Sequence, residues 1–376
     1  MTGSSLFDHL ARQLTGLCEV AQTRSDEPLH LLGDLLGPTG ARPLSAAPAW
    51  PSNVADDHTP VEFSIACNAG EPPTLRILGE ALGSPPDAMS NQTAAHRFLS
   101  ARPSRSGISL SRLAAVQGLF ATDRPLGDYT LWHSLVFRSG RRPEFKVYLN
   151  PEVRGIQRAP DLVAEALRRL GLGAAYGSIL DHAVRPGELG RRDRLTFFAV
   201  DLHDGPHARV KVYLTHHDAS TTDVARAAGA VDGIDAEDIA SFCTAAGGGR
   251  RHFGGLPLVG SYTFTSETKK PVGYSVYVPI RGYVNDDQEA RERVAPLLAR
   301  YGFDSALLDR AIAAVTDRPL RDGVGLIAHV SLRLGPPRPG VTVYLSAEAY
   351  QVSPPREGQL DATPGRMNAA ADPAAV

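Results

Sequence analysis

The segment Arg209-Val-Lys-Val-Tyr-Leu214 decides the fold, because close copies of it recur at nearly equal spacing. Lys146-Val-Tyr-Leu149, Ser275-Val-Tyr-Val278 and Thr342-Val-Tyr-Leu345 share its register. Their tyrosines lie 65, 64 and 67 residues apart, and Leu75-Arg-Ile-Leu78 is a degenerate first copy. Self-similarity at a fixed period is the signature of a repeated structural unit. The sequence therefore predicts five repeats.

Each copy is the second arm of a predicted β-hairpin. Residues that alternate in polarity precede it, and a connector rich in Gly, Pro, Asn or Asp joins the two arms. The predicted arms are 61–66 and 74–78, 130–137 and 145–149, 195–202 and 209–214, 261–265 and 274–278, and 324–332 and 341–345. Ten antiparallel strands are expected.

The segments between the hairpins have apolar residues at helical spacing, for example at 159–170, 235–246, 286–301 and 305–315. Ten strands that close on themselves with helices outside would leave no sheet edge exposed. We therefore expect an α+β fold, a ten-stranded antiparallel β-barrel surrounded by α-helices and built from five ααββ-type repeats. It would form a single domain over residues 1–350, with 351–376, rich in Pro, Ala and Gly, as a flexible tail.

Composition excludes several classes of protein. Among 376 residues, 39 basic and 41 acidic side chains leave a net charge of −2, so no global field favours nucleic acid or an anionic membrane. The three cysteines are odd in number and far apart, which argues against a disulfide framework. No run of 18 apolar residues occurs, and the first 16 residues show no long apolar stretch after a basic region, so we expect neither a membrane span nor secretion. We expect a cytoplasmic protein.

The repeated strands predict a ligand site inside the barrel. Successive side chains of a strand point to opposite faces, so Lys211 and Tyr213 share one face and the valines take the other. If the valines pack under the helices, cations and tyrosines line a lumen wide enough for a ligand. Clustered cations need an anion, and a diphosphate suits lysine and arginine. Tyrosine faces stabilise a carbocation, so an ionising allylic diphosphate would use both layers.

These strands, together with Asp57-His-Thr-Pro-Val-Glu-Phe-Ser64, Asp322-Gly-Val-Gly-Leu-Ile-Ala328 and the segment from Val341 to Tyr350, resemble the aromatic prenyltransferases of the dimethylallyltryptophan synthase type. The bacterial tryptophan dimethylallyltransferases are especially similar. The resemblance covers the chain from about Pro60 to Tyr350 and implies the ABBA barrel, also called the PT-barrel. It implies a Friedel-Crafts-type transfer of a dimethylallyl group from dimethylallyl diphosphate to the indole of L-tryptophan in secondary metabolism, with C6 favoured.

The resemblance also implies roles for individual residues. Glu62 matches the glutamate that accepts a hydrogen bond from the indole N–H. Many fungal members carry glutamine where Ser275 stands, so the diphosphate contact at this position departs from their pattern. The diphosphate-binding residues implied are Arg76, Lys146, Arg209, Lys211 and Ser275. The residues implied to shield the allyl cation are Tyr148, Tyr213, Tyr277 and Tyr344.

The acceptor of the proton released by the ring stays open. Some fungal members use a lysine in the arm before the first Lys-x-Tyr, but the arm 130–137 has none. His133, Glu62 or a water molecule could serve instead. Trp132 alternates to the face opposite His133, so only one of the two faces the lumen as a catalytic or substrate-binding residue.

Metal motifs are weak in this sequence. His216-His-Asp218 and Asp56-Asp-His58 lack a third ligand at a suitable spacing and are expected to be solvated loops. The run 285–289 is expected to cap a helix rather than to bind Mg²⁺. We expect no metal site and no cofactor, with Mg²⁺ dispensable, and a monomer or homodimer. Two alternatives remain: prenylation of another aromatic acceptor, such as a tryptophan-containing cyclic dipeptide or tyrosine, and a non-catalytic barrel that binds an anionic ligand.

Overall fold

Ten antiparallel strands form a closed barrel in a computed structural model that describes residues 4–102, 107–265, 270–336 and 339–356. The barrel strands are β1 (Val61–Asn68), β2 (Thr74–Gly79), β3 (Leu131–Phe137), β4 (Glu144–Leu149), β5 (Asp193–Asp201), β6 (Val210–His216), β9 (Leu258–Phe264), β10 (Gly273–Val278), β11 (Ile327–Leu334) and β12 (Gly340–Ser346). Around the barrel they follow one another as β1, β12, β11, β10, β9, β6, β5, β4, β3 and β2. The predicted barrel and its hairpins are confirmed.

Helices surround the barrel, and in chain order two of them precede each hairpin within the described ranges. They are α1 (Leu6–Val20), α2 (Asp26–Leu36), α3 (Ala88–Ser100), α4 (Ser111–Phe120), α5 (Ala159–Arg169), α6 (Tyr176–Ala183), α7 (Thr221–Ala228), α8 (Ala236–Ala246), α9 (Asp287–Arg300) and α10 (Ala306–Val315). Among the described residues, none of these helices has the length and apolar character that a membrane span requires.

A short ribbon outside the barrel was not predicted. Its strands, β7 (Ala219–Ser220) and β8 (His252–Phe253), have two residues each, which is too short for an alternating pattern to be read from sequence. The predicted helix cap at 285–289 is confirmed, because the Asp286 carboxylate accepts a hydrogen bond from the Glu289 N–H at 2.8 Å.

The two faces of the barrel wall have different partners. One face packs against the helices and belongs to the main hydrophobic core, as Val147 and Val212 show. On the other face, Trp132 belongs to a separate cluster with Tyr148 and Phe197. The apolar core therefore lies between barrel and helices, and the lumen is left to aromatic and polar side chains.

Small side chains recur at one level of the lumen. Ala199 of β5 pairs with Lys211 on one side and with Tyr148 on the other. The first strand of every other hairpin places a serine in the equivalent register. The five small residues are Ser64, Ser134, Ala199, Ser261 and Ser331. The second strands thus supply large functional groups, and the first strands leave room for a ligand among them.

The segment after β12 begins in contact with the domain. Ser353 forms a β-bridge with Val324, and Arg356 donates hydrogen bonds to the carbonyls of Val284 and Asn285. Residues 357–376, the greater part of the expected tail, lie outside the described residues.

Candidate active site

Basic side chains gather at the end of the lumen where the hairpin connectors lie. We call Arg76, Lys146, Arg209, Lys211 and Arg333 the cationic ring. Four of the five were expected from sequence. Arg333 was missed because the repeat search followed the second arm of each hairpin, whereas Arg333 belongs to a first arm and pairs with Ser275. Its signal is the alternating row His329, Ser331 and Arg333, which places it on the lumen face. Ser275 is buried on the same face, so the structure brings the predicted diphosphate residues together.

Asp201 joins two members of the cationic ring. Its carboxylate lies 3.2 Å from Lys146 Nζ and 2.7 Å from Arg209 Nε, and it also accepts from the Arg209 backbone N–H at 3.0 Å. Burial alone would raise the pKa of Asp201, but Arg209 and Lys146 outweigh it and hold this pKa below its ordinary value. Burial lowers the pKa of Lys146 to about 8, and Asp201 counters part of that effect. Sequence reasoning missed Asp201, although β5 places it opposite Lys146.

Lys211 has no such partner. It is buried and forms no ion pair with any described residue. Its Nζ lies 5.8 Å from the centroid of the Tyr213 ring. Burial, together with the positive charges of Lys146, Arg209, Arg76 and Arg333, holds the pKa of Lys211 well below its ordinary value. An anion bound here would relieve both effects.

The four tyrosines of the repeat form a continuous layer next to the cationic ring. Ring centroids lie 5.7 Å apart for Tyr148 and Tyr213, 5.9 Å for Tyr213 and Tyr277, and 6.0 Å for Tyr277 and Tyr344. Burial raises the pKa of Tyr148 to about 12, so its hydroxyl stays neutral at physiological pH. We call these four side chains the tyrosine belt. The ring faces of the belt lie next to the position that a carbocation would occupy if it were released from a diphosphate bound at the cationic ring.

Trp132 faces the lumen and lies in an aromatic stack beyond the tyrosine belt. Its ring centroid is 4.2 Å from that of Tyr129 and 5.8 Å from that of Phe197. The single hydroxyl proton of Tyr129 is shared between the carbonyls of Leu149 and Thr196, at O–O distances of 3.0 and 3.1 Å, which holds the Tyr129 ring in place. Tyr129 and Phe197 were not expected from sequence because neither belongs to the repeated motif. The stack offers a flat aromatic wall against which an indole can lie.

His133 lies outside the lumen, and this corrects the expectation that it is catalytic. Its ring packs 4.8 Å from Phe98 of α3, in the layer between barrel and helices. Burial lowers the pKa of His133 to about 3, so its ring is neutral. The physical reason is strand alternation, because Trp132 occupies the inward position and its neighbour must point outward.

Glu62 lies on the lumen face of β1, at the end opposite the cationic ring. It is buried, makes no hydrogen bond to any described residue, and lines a cavity of about 540 Å³ that includes open space at its mouth. Burial raises the pKa of Glu62 to about 8, although the nearby Arg281 opposes the rise. A bound group that donates a hydrogen bond would lower this pKa and satisfy the carboxylate.

The same cavity is rich in carboxylates, and we call it the acidic pocket, lined by Asp56, Asp57, Glu62, Arg281, His329 and Glu348 among others. Arg281 donates to Asp56 at 2.6 and 3.0 Å and approaches His329 Nε2 at 3.0 Å. Burial and the Arg281 charge keep the pKa of His329 well below its ordinary value. His329 is therefore neutral, and its ring lies 6.0 Å from that of Tyr344.

A further carboxyl group, Glu80, lies beside the aromatic stack and was not expected from sequence. It accepts a hydrogen bond from Ser52 Oγ at 2.6 Å. Burial raises the pKa of Glu80 to about 7, and the Ser52 hydroxyl and the indole N–H groups of Trp132 and Trp50 partly offset the rise.

The motifs that could suggest a metal are used otherwise. Asp57 accepts from the Thr59 hydroxyl at 2.7 Å, and Asp56 pairs with Arg281. His216 is not in a solvated loop as expected: it ends β6, is buried and lies 2.8 Å from Asp193. Within the described ranges, no three His, Cys, Asp or Glu side chains form a group that could hold a metal ion.

The chain is similar to known proteins over most of its length. Residues 28–310 match the model of the tryptophan dimethylallyltransferase family. The chain belongs to this family. It is 70% identical to 6-dimethylallyltryptophan synthase from Micromonospora olivasterospora, whose structure in complex with DMASPP and Trp covers 94% of this chain and 100% of that one, with a TM-score of 0.91.

Two further structures are similar over the same extent. The prenyltransferase PriB, in a ternary complex with L-tryptophan and dimethylallyl thiolodiphosphate, is 39% identical, with a TM-score of 0.86 and coverage of 94% and 99%. The 5-dimethylallyl tryptophan synthase from Streptomyces coelicolor, in complex with DMASPP and Trp, is 35% identical, with a TM-score of 0.85 and coverage of 94% and 98%.

Proposed function

We propose that this protein transfers the dimethylallyl group of dimethylallyl diphosphate to C6 of the indole ring of L-tryptophan. One observation carries the proposal: a single lumen holds the cationic ring at one end, aromatic rings in the middle, and at the other end a buried Glu62 that has no hydrogen-bond partner among the described residues. This order matches a diphosphate, an allyl cation and an indole N–H in turn. The relatives add that structures of this fold contain both tryptophan and analogues of the donor.

The reaction begins when the bond between C1 of the donor and the diphosphate oxygen breaks. The electron pair leaves with the diphosphate, and Lys146, Arg209 and Lys211 stabilise the charge that develops on it. The allyl cation lies against the tyrosine belt, whose faces stabilise it electrostatically and exclude water. The cationic ring supplies the counter-charge from side chains alone, so we propose that Mg²⁺ is dispensable.

The second half of the reaction takes place at the other end of the lumen. Glu62 accepts a hydrogen bond from the indole N–H and raises the electron density of the ring. A ring carbon attacks C1 of the allyl cation, and the resulting arenium ion loses its proton from the same carbon. With His133 outside the lumen, Glu62 or a water molecule takes this proton, and diphosphate and dimethylallyl-tryptophan are released.

The cellular compartment and the position of substitution on the indole complete the proposal. The described cysteines Cys18, Cys67 and Cys243 are all free, which supports a reducing, cytoplasmic compartment. The C6 position is supported by the 6-dimethylallyltryptophan synthase at 70% identity, whereas the 5-dimethylallyl enzyme is 35% identical.

The test is incubation of the purified protein with L-tryptophan and dimethylallyl diphosphate in excess EDTA, followed by mass spectrometry and NMR of the product. We expect one dimethylallyl-tryptophan substituted at C6. A product substituted elsewhere would refute the position, and activity restored only by Mg²⁺ would refute metal independence. Product with a cyclic dipeptide or tyrosine but not with tryptophan would change the acceptor. No product with any acceptor would favour a non-catalytic binding protein.

A further inference from the structure

The buried basic side chains of the cationic ring differ in whether they contact a carboxylate. Asp201 contacts Lys146 at 3.2 Å and Arg209 at 2.7 Å, and the side chains of all three are shielded from solvent to a large degree. Lys211 is as buried as Lys146, with 7% and 8% of their surfaces exposed, but it has no carboxylate partner among the described residues. Two of the five cations therefore share the negative charge of one carboxylate before a ligand binds, and Lys211 does not.

The surroundings of Lys211 make its ammonium form costly. A buried ammonium without a partner loses its hydration and favours the neutral amine, and nearby like charges add to this preference. The charged and titratable groups that face Lys211 from the neighbouring strands are Arg76 of β2, Lys146 of β4, Asp201 of β5, Arg209 at the start of β6, Tyr213 of β6 and Arg333 of β11. Asp201 is the one acidic group among them, and its oxygens are directed at Lys146 and Arg209.

We propose that Asp201 is a positioning residue that keeps Lys146 and Arg209 charged and directed at the donor, and that Lys211 takes up a proton from solvent when the diphosphate binds. The inference rests on the proposed function, because it takes the cationic ring as the diphosphate site. A buffer acid or hydronium ion in solvent gives up the proton and leaves as its conjugate base, and the Nζ lone pair of Lys211 forms the new N–H bond. The negative charge of the ligand then stabilises the ammonium form that the free site disfavours.

Proton uptake can be measured directly by isothermal titration calorimetry. Dimethylallyl thiolodiphosphate is titrated into the protein in buffers of different ionisation enthalpy, at several pH values from about 6.5 to 9, where the ligand's last phosphate ionisation near pH 6 is largely complete. The wild type should take up protons on binding. Lys211→Met should take up about one proton fewer at the pH of maximum uptake.

Asp201→Asn should change proton uptake in the opposite direction from Lys211→Met. Without its carboxylate partner, Lys146 is also neutral in the free protein, so binding must bring a further proton. Uptake should therefore rise by up to about one proton, while affinity for the analogue falls roughly 10- to 100-fold. Asp201→Glu should restore the wild-type uptake. A carboxylate with a merely structural role would lower affinity without adding protons.

Matched controls come from a surface ion pair. Lys270 and Asp232 lie 3.3 Å apart with 76% and 85% of their side chains exposed. Lys270→Met and Asp232→Asn remove the same charges and should leave proton uptake and affinity unchanged. If Asp201→Asn fails to fold, the comparison of wild type with Lys211→Met still decides the fate of Lys211.

The outcomes separate this inference from the proposed function. Tight binding of the analogue without proton uptake, or equal uptake by wild type and Lys211→Met, overturns the inference and leaves the diphosphate site intact. Unchanged uptake in a folded Asp201→Asn protein overturns the role of Asp201. No binding of the analogue by the wild type overturns the inference together with the donor site. The transfer reaction is tested separately by the product assay.

Discussion

The two ends of the lumen differ in the sign of their charge and in what they leave unsatisfied. At the hairpin end, the cationic ring holds five basic side chains, and Asp201 is the carboxylate that joins two of them. At the opposite end, Glu62 is a buried carboxylate without a hydrogen-bond partner among the described residues. The difference teaches that one barrel can hold an anion and an N–H donor apart, with aromatic rings between them.

The largest effect should follow from breaking the cationic end. Lys211→Met removes a buried charge that the diphosphate would contact, and such losses cost about 2–5 kcal/mol. We expect kcat/KM for dimethylallyl diphosphate to fall roughly 30- to 4,000-fold. Steady-state kinetics measures this, with Lys270→Met as the control of equal charge. A loss smaller than about threefold in a folded variant would show that the diphosphate binds elsewhere.

Removal of the Glu62 carboxylate at the opposite end of the lumen should lower kcat/KM by a smaller factor. Glu62→Ala removes a hydrogen bond from the indole N–H to a charged acceptor, worth about 1.5–3 kcal/mol. We expect kcat/KM for tryptophan to fall roughly 10- to 150-fold, while affinity for dimethylallyl thiolodiphosphate stays within about twofold. Full activity of Glu62→Ala on tryptophan would show that Glu62 does not accept the indole N–H hydrogen bond. Weakened binding of the analogue would mean that the two ends are not separate.

The pH dependence should distinguish the ends by sign. Glu62 must lose its proton to act as an acceptor, and its pKa is raised to about 8, so kcat/KM for tryptophan should rise as pH increases through about 8. Lys146 must keep its proton, and its pKa is lowered to about 8, so kcat/KM for dimethylallyl diphosphate should fall over the same range. The rising limb should approach tenfold per pH unit, and the falling limb should be steeper, because Lys211 as well as Lys146 must be protonated when the diphosphate is bound. A rising limb that persists in Glu62→Gln would assign it to another group.

Adjacent residues on opposite faces of β3 sharpen the contrast between lumen and core. Trp132→Ala should lower kcat/KM for tryptophan roughly tenfold, because it removes part of the aromatic wall. His133→Leu should leave kcat/KM within about twofold, because the ring packs against Phe98 outside the lumen. Kinetics of the two variants, with thermal unfolding to confirm folding, provides the test. A large fall in kcat/KM in a His133→Leu variant of unchanged thermal stability would show that His133 takes part in the reaction.

The smallest effect should come from the tyrosine belt when only a hydroxyl is removed. Tyr213→Phe keeps the ring that faces the cation, so turnover should stay within about threefold. Tyr213→Ala removes the ring and should lower kcat about ten times further. Single-turnover rates with saturating donor compare the two variants. Equal losses in both would indicate that the hydroxyl, which lies 3.5 Å from the Tyr148 hydroxyl, matters more than the ring.

Much of this arrangement could be predicted because it is periodic. The Lys-x-Tyr copies fix the second strand of each hairpin, and alternation then assigns a lumen face, which the structure confirms for Lys211 and Tyr213. The first strands were harder, because their lumen level is filled by small residues such as Ala199 that carry no chemical signal. Arg333 was missed because it lies on a first strand, whereas the repeated motif marks the second strands.

Residues that act through tertiary contacts could not be found from one sequence. Asp201 becomes significant only once β4 and β5 are paired and place it opposite Lys146. The choice between Trp132 and His133 depends on which face of β3 meets α3, and one residue of register reverses it. Tyr129 lies in a loop and stacks against Trp132 of β3 and Phe197 of β5. No local sequence pattern predicts these contacts.

The most direct test is a crystal structure of the protein with dimethylallyl thiolodiphosphate and L-tryptophan bound together. We predict the diphosphate within hydrogen-bond distance of Lys211 and Lys146, the dimethylallyl group against the tyrosine belt, and the indole nitrogen directed at Glu62. The C6 atom should be the ring carbon nearest C1 of the donor. A diphosphate bound in the acidic pocket, or an indole nitrogen directed away from Glu62, would contradict the assignment of the two ends.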